Sequence, residues 1–123
     1  MTRSILLIDD LRDFLTPDTQ AELTIARTSQ QALDILAQKN DWDELWLDHD
    51  LGGDDTIMVI VDYLSEKAFF DEPVNVGLIL IHTSNPVGRK QMKLTLDRYG
   101  YNTQLVDAEQ FFTVEESMFP KQD

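Results

Sequence analysis

Val76-Gly77-Leu78-Ile79-Leu80-Ile81-His82-Thr83-Ser84-Asn85-Pro86 decides how the rest of this chain is read. Its first six residues are apolar without alternation, the pattern of a strand buried on both faces at the centre of a parallel sheet. The run then turns polar and reaches Asn85-Pro86, with Asn suited to the N-cap of a helix and Pro to its first helical position. That helix is expected to reach Tyr99, with Gly100 as its stop. A buried strand passing directly into a helix is half of a parallel crossover unit, and such units repeat.

They do repeat on both sides. Ser4–Ile8 reads as a first strand, closed by Asp9-Asp10. Leu23–Ala26 reads as a second, and Thr28-Ser29-Gln30-Gln31 has capping-box spacing before Ala32, Leu33 and Leu36. Leu45–Leu47 is a short third strand ending in Asp48-His49-Asp50. Ile57, Ile60, Val61 and Leu64 mark one face of a helix. Thr103–Val106 is a fifth strand, after which Asp107 and Gln110 open a last helix carrying Phe111 and Phe112. From Asp10 to Gln20 the only start signal is Thr16-Pro17, for a short helix or none. Alternating strands and helices predict an α/β domain over residues 1–123. It is a single doubly wound, five-stranded parallel sheet of flavodoxin-like type with strand order 2-1-3-4-5.

Composition narrows the function. With 123 residues the chain suits one domain, and with no cysteine it has no disulfide, thiolate metal site or thiol nucleophile. No apolar run is long enough for a membrane span or a signal-peptide core, so a cytoplasmic protein without membrane contact is expected. Acidic residues number 23 against 10 basic ones, a formal net charge of -13. Such a surface repels a phosphate backbone and argues against broad duplex binding. Most of the excess lies in residues 1–72, whereas Arg89, Lys90, Lys93 and Arg98 fall within ten residues of one another.

In open parallel sheets, ligands bind outside the carboxyl ends of the strands, where this chain keeps its reactive side chains. Asp9, Asp10, Asp48 and Asp50 converge there if the first and third strands are neighbours. Oxygen donors so grouped suit Mg²⁺ or Mn²⁺, although Asp is also common in loops and caps. The two histidines, His49 and His82, both close strands. A pair facing one ligand suits acid and base work near neutrality, the alternatives being a hydrogen bond or a metal. The helix start after Asn85, with Arg89 and Lys90 in its first turns and the hydroxyls of Thr83 and Ser84 beside it, reads as an anion cradle. Lys93 and Arg98 read more simply as a solvated basic face, and Trp42, Trp46 and Tyr63 as packing residues.

The Asp9-Asp10 pair, Asp48 and Thr83 resemble, in order and spacing, the receiver domain of bacterial response regulators. That resemblance implies Mg²⁺ held by Asp9 and Asp10, a phosphoryl group accepted by Asp48 and sensed by Thr83. Receivers also carry a lysine after their fifth strand, where this chain has Val106-Asp107-Ala108. A nearer resemblance is to the cyclic-phosphate processing receiver domains of bacteria and phages. It is carried by Ile8-Asp9-Asp10-Leu11-Arg12, Leu47-Asp48-His49-Asp50-Leu51-Gly52 and His82-Thr83-Ser84-Asn85-Pro86-Val87-Gly88. It implies a receiver-like domain that binds or hydrolyses a cyclic phosphate, a 2′,3′-cyclic nucleotide or RNA end. Asp9, Asp10 and Asp48 would hold the cation, and His49, His82 and Asp50 would be the catalytic groups. Arg12, Thr83, Ser84, Asn85, Arg89 and Lys90 would bind substrate. A homodimer through the last strands and helices would leave Phe111, Phe112 and Phe119 as interface or core. The alternatives are a phospho-acceptor receiver acting through Asp48 and a non-catalytic nucleotide- or protein-binding module.

Overall fold

The computed structural model describes residues 3–11, 13–14, 21–83, 85–107 and 112–113. Its main sheet has five parallel strands: β1 (Arg3–Ile8), β3 (Ala21–Ala26), β4 (Asp41–Leu47), β5 (Asn75–Ile81) and β6 (Thr103–Leu105). Their spatial order is β3-β1-β4-β5-β6, which is 2-1-3-4-5 among the strands of this sheet. The expected receiver-like topology is therefore present, and β5 lies inside the sheet as its unbroken apolar run requires.

The expected third strand is longer than its apolar residues suggest. Asp41 and Asp43 alternate with buried Trp42, and Asp43 accepts from the Ser4 N–H (2.7 Å), so the charged residues occupy the exposed positions of a half-buried strand. The expected final helix does not extend through Phe112. Phe112–Thr113 form a short strand, β7, antiparallel to Asp13–Phe14 (β2). Aromatic and β-branched residues in succession favour an extended chain over a helix. Thr16, Pro17, Gln110, Phe111 and Phe119 lie outside the described residues.

Three helices are described: α1 (Ser29–Gln38), α2 (Met58–Phe69) and α3 (Pro86–Arg98). Their buried residues, among them Ala32, Leu36, Ile60, Leu64, Met92 and Leu96, join one core with Leu6, Ile8, Leu45, Leu47, Ile79 and Ile81. The alternate residues Ile5, Leu7, Trp46 and Leu80 form a second, smaller cluster with Val106. Trp42 and Trp46 are both buried, as packing residues should be.

The loop between β4 and α2 is folded on itself. Leu51 N–H donates to the Asp55 carbonyl (3.0 Å), and Ile57 N–H to the His49 carbonyl (2.8 Å). Asp55 also leaves its own loop to receive the backbone N–H (2.9 Å) and hydroxyl (2.5 Å) of Ser29 at the start of α1. A carboxylate at a helix N-terminus meets unpaired N–H groups and the positive end of the helix dipole. The loop that carries His49 and Asp50 is thereby tied to the sheet's helical layer.

Tyr101 closes the opposite side of the core. Its hydroxyl donates to the Leu64 carbonyl (2.8 Å) and accepts from the Val74 N–H (3.3 Å). Burial pushes its ionisation above the ordinary tyrosine value. The folded state thus keeps a proton that the unfolded chain gives up, so this contribution to stability is intact below about pH 10 and declines as pH rises beyond it. Tyr101→Phe should cost about 1–3 kcal/mol at neutral pH through the two bonds left unmet. It should also make the alkaline fall in melting temperature shallower, which thermal melts from pH 8 to 11 would reveal.

Candidate functional site

The main sheet's hydrogen-bond ladder continues one residue beyond its strands. Asp9 N–H donates to the Ala26 carbonyl, Asp48 N–H to Ile8, His82 N–H to Leu47 and Val106 N–H to Ile81. Because Ala26, Ile8, Leu47 and Ile81 are in register, the residues that follow form a transverse row: Arg27, Asp9, Asp48, His82 and Val106. Neighbouring strands lie about 4.8 Å apart, so side chains at matching positions of adjacent strands meet.

In the middle of this row a tight group forms. One ligand atom from each of Asp9, Asp48 and His82 lies within 4.8 Å of the others, and all three residues are buried. Asp9 and His82 are both fully shielded from solvent, and the Nε2–H of His82 donates to Asp9 Oδ2 at 3.0 Å. The His82 ring also lies 6.1 Å from the Trp46 ring. Two carboxylates buried side by side repel each other unless positive charge offsets them. Arg27, whose guanidinium donates to the Asp9 carbonyl (3.2 Å), is positioned to supply it.

Asp10 stands outside that group. Its Oδ2 lies against Gly52, 3.4 Å from where a Cβ would stand there, on the loop that follows Asp48. Gly52 has a φ of 93°, a conformation glycine adopts without strain. Among the described residues, the group that could hold a metal is Asp9, Asp48 and His82, which adds an imidazole to two of the carboxylates expected from the sequence.

His49 is separate from this cluster. Its ring is partly exposed (14%), and Nδ1–H donates to Oδ1 of the exposed Asp50 at 3.1 Å. The rest of the ring lies against the first turn of α3, where Gly88 is buried. Asp50 itself bridges to Thr56 across the loop.

The start of α3 is capped as the sequence predicts. Asn85 Oδ1 accepts from the Gly88 N–H (3.0 Å), and the Asn85 carbonyl from the Arg89 N–H (2.8 Å). This has a consequence for the anion cradle. Pro86 has no N–H and the Gly88 N–H is occupied by the cap, so Val87 supplies the first-turn N–H outside these bonds. Thr83 is buried and uses its hydroxyl to receive the Asn85 N–H (3.2 Å), which shapes the turn. Arg89 is partly buried and Lys90 exposed, both in the opening turns of α3. Arg12 and Ser84 lie outside the described residues.

Lys93 belongs elsewhere. It contacts Asp97 (3.2 Å) and the Thr103 hydroxyl (2.8 Å) at the junction of α3 and β6. The Thr103 hydroxyl, helped by Lys93, holds the Asp97 carboxyl below its usual range.

Two residues at the site were missed in the sequence, Arg27 and Gly88. Arg27 follows the second strand's last residue just as Asp9 follows the first's, so strand register was the available signal. Gly88 stands in a quoted motif, but its contact with His49 depends on how α3 docks.

If Asn85 acts as a cap, Asn85→Ala should lower stability by about 1 kcal/mol while Asn85→Asp preserves it. Denaturant melts of the two variants would test this, and equal losses would count against the capping role.

A family model described as the cyclic-phosphate processing receiver domain matches residues 4–98, and the chain belongs to that family. Comparisons with curated proteins and with solved structures gave no significant match. Among the described residues no helix is long and apolar enough to cross a membrane.

Proposed function

We propose that this receiver-family domain binds a cyclic phosphate at the carboxyl edge of its sheet and opens the ring by hydrolysis, with a divalent cation as cofactor. A 2′,3′-cyclic nucleotide or RNA end is the substrate class we favour. The observation that carries the reading is the buried group of Asp9, Asp48 and His82 in a family associated with cyclic-phosphate processing.

The donor set fits a cation. Two carboxylate oxygens and one imidazole nitrogen converge from three adjacent strands, and an ion there would offset both buried negative charges. Mg²⁺ favours oxygen ligands, whereas first-row transition ions accept imidazole readily, so the set favours Mn²⁺ over Mg²⁺. When bound, the cation would polarise a phosphoryl oxygen and stabilise charge developing on it.

The two histidines then have different tasks. His82 is enclosed and engaged with Asp9, so Nε2 holds either a proton or an ion within the cluster. His49 is the histidine with solvent access. With Nδ1–H directed at Asp50, the neutral ring carries its lone pair on Nε2. That atom takes a proton from water as the water oxygen bonds to phosphorus. The bond from phosphorus to one ribose oxygen breaks, and Nε2 returns the proton to that oxygen. Arg89 and the Val87 N–H are suited to the remaining phosphate oxygens, joined by Lys90 at the rim and, on the family motif, by Arg12 and Ser84.

Two measurements test this reading. Mn²⁺ titrated calorimetrically into the protein should bind more tightly than Mg²⁺. His82→Ala and Asp48→Asn should each weaken it by about tenfold or more, and Asp10→Asn should weaken it less. A loss at Asp10→Asn as large as at Asp48→Asn, with little effect of His82→Ala, would restore the all-carboxylate site.

The second measurement follows ring opening of 2′,3′-cyclic AMP with Mn²⁺, with and without a chelator. His49→Ala should lower turnover by about 10²–10⁴ without loss of folding, and the chelator should abolish it. Ligand-induced stabilisation without turnover would instead favour the binding-module reading. Labelling of Asp48 by acetyl phosphate would favour the phospho-acceptor reading.

A further inference from the structure

Capping explains Asn85 and Pro86 at the start of α3 but gives no reason for Gly88. Gly88 sits in the helix without a positive φ, where glycine is one of the weakest helix formers. Its backbone therefore does not require glycine. Its surroundings do. A Cβ placed there would stand 2.7 Å from Cγ and 2.9 Å from Nε2 of His49, and closer still to Cδ2. No real Cβ tolerates such distances, so the imidazole occupies space that any side chain at position 88 would fill.

The rest of His49 is fixed independently. Its carbonyl accepts from the Ile57 N–H (2.8 Å), and its Nδ1–H donates to Asp50 (3.1 Å). The loop thus fixes the backbone, Asp50 holds one ring nitrogen, and the bare Cα of Gly88 receives the other side of the ring. A methyl group at 88 would be relieved most cheaply by rotating the imidazole away, because the obstruction is a side chain rather than backbone.

We propose that Gly88 is a positioning residue: it forms the seat that holds the His49 imidazole against the first turn of α3, beside Val87 and Arg89. The use made of His49 rests on the function proposed above, whereas the seat itself rests on packing alone. By this reading the Asn85-Pro86-Val87-Gly88 segment has two jobs. Its first two residues start the helix, and its last leaves room for a histidine contributed by another loop.

The test uses Gly88→Ala, His49→Ala and the double variant in the full chain. Thermal melts and proton–carbon NMR of the imidazoles are followed, only two histidines being present to assign. With His49 in place, Gly88→Ala should lower the melting temperature and shift the His49 ring resonances while leaving those of His82 unchanged. Once His49 is alanine, the same change should leave the melting temperature unchanged or raise it, since alanine is the better helix former and meets no ring. That reversal is an interaction between the two positions, which a general packing defect at 88 would not produce.

Turnover of 2′,3′-cyclic AMP by Gly88→Ala should fall to the level of His49→Ala, with no further loss in the double variant. An equal drop in melting temperature in both backgrounds would overturn the proposal, as would unmoved His49 resonances. If Gly88→Ala alone fails to fold, the double variant must fold for the proposal to stand. The melting and resonance measurements need no ligand. A wild-type protein without turnover would therefore remove the catalytic reading while those two results still decide the seat.

Discussion

In a parallel sheet whose strands end in register, the residue following each strand is delivered beside the residue following its neighbour. The site depends on this constraint. Ile8, Leu47 and Ile81 are matched across β1, β4 and β5, and their N–H···O ladder extends to Asp9, Asp48 and His82. A shift of one residue in any of these strands would turn its functional side chain to the other face of the sheet. The apolar residues beneath prevent such a shift. Leu6, Ile8, Leu45, Leu47, Ile79 and Ile81 are packed under the helices, and moving them would expose one core while forcing their neighbours into the other. The buried carboxylates and imidazole, costly to shield from water, are held in place by hydrophobic burial elsewhere in the same strands.

Around that row, the loop after β4 and the first turn of α3 form a second layer. Asp55 ties the loop to the start of α1, and His49 reaches α3 through the gap left by Gly88. This arrangement explains why the helix start is less open to an anion than its sequence suggests. The residues that end the preceding turn and cap the helix, Thr83 and Asn85, use their side-chain oxygens on backbone N–H groups of the same segment. On the proposed function, anion recognition there would fall to side chains such as Arg89 rather than to a wide array of backbone donors.

The fold was legible because its signals are local and repeated: apolar strands, an Asn-Pro helix start, and acids or histidines where strands close. Asp9, Asp48 and His82 could be named for the same reason. Their grouping could not, because Asp9 and Asp10 are chemically alike and only the ladder decides which of them continues the strand. The ladder gives that position to Asp9, and Asp10 turns to Gly52. Arg27 was overlooked because it lies outside the three motifs that carry the site's acids and histidines, although β3 brings it beside Asp9. The pairing of Phe112 with Phe14 joins residues 98 positions apart, and no local pattern reports such a contact. For Gly88 the residue was visible but its partner was not, since a glycine in a helix does not disclose what approaches it.

The acidic surface and the buried cluster make opposite demands on an anionic ligand. At physiological salt the field of a chain with net charge -13 is screened within about 8 Å, so a phosphate is opposed mainly near the surface, and an extended polyanion is opposed along its whole length. A single cyclic phosphate meets that barrier once. On the proposed function it would then reach an edge where Arg27 lies beside Asp9 and a cation at Asp9, Asp48 and His82 would add more positive charge. The attraction is concentrated at one point while the repulsion is spread across the domain. On the proposed function, that imbalance would favour a small phosphate or a nucleic-acid terminus over a duplex before any contact to base or sugar is made.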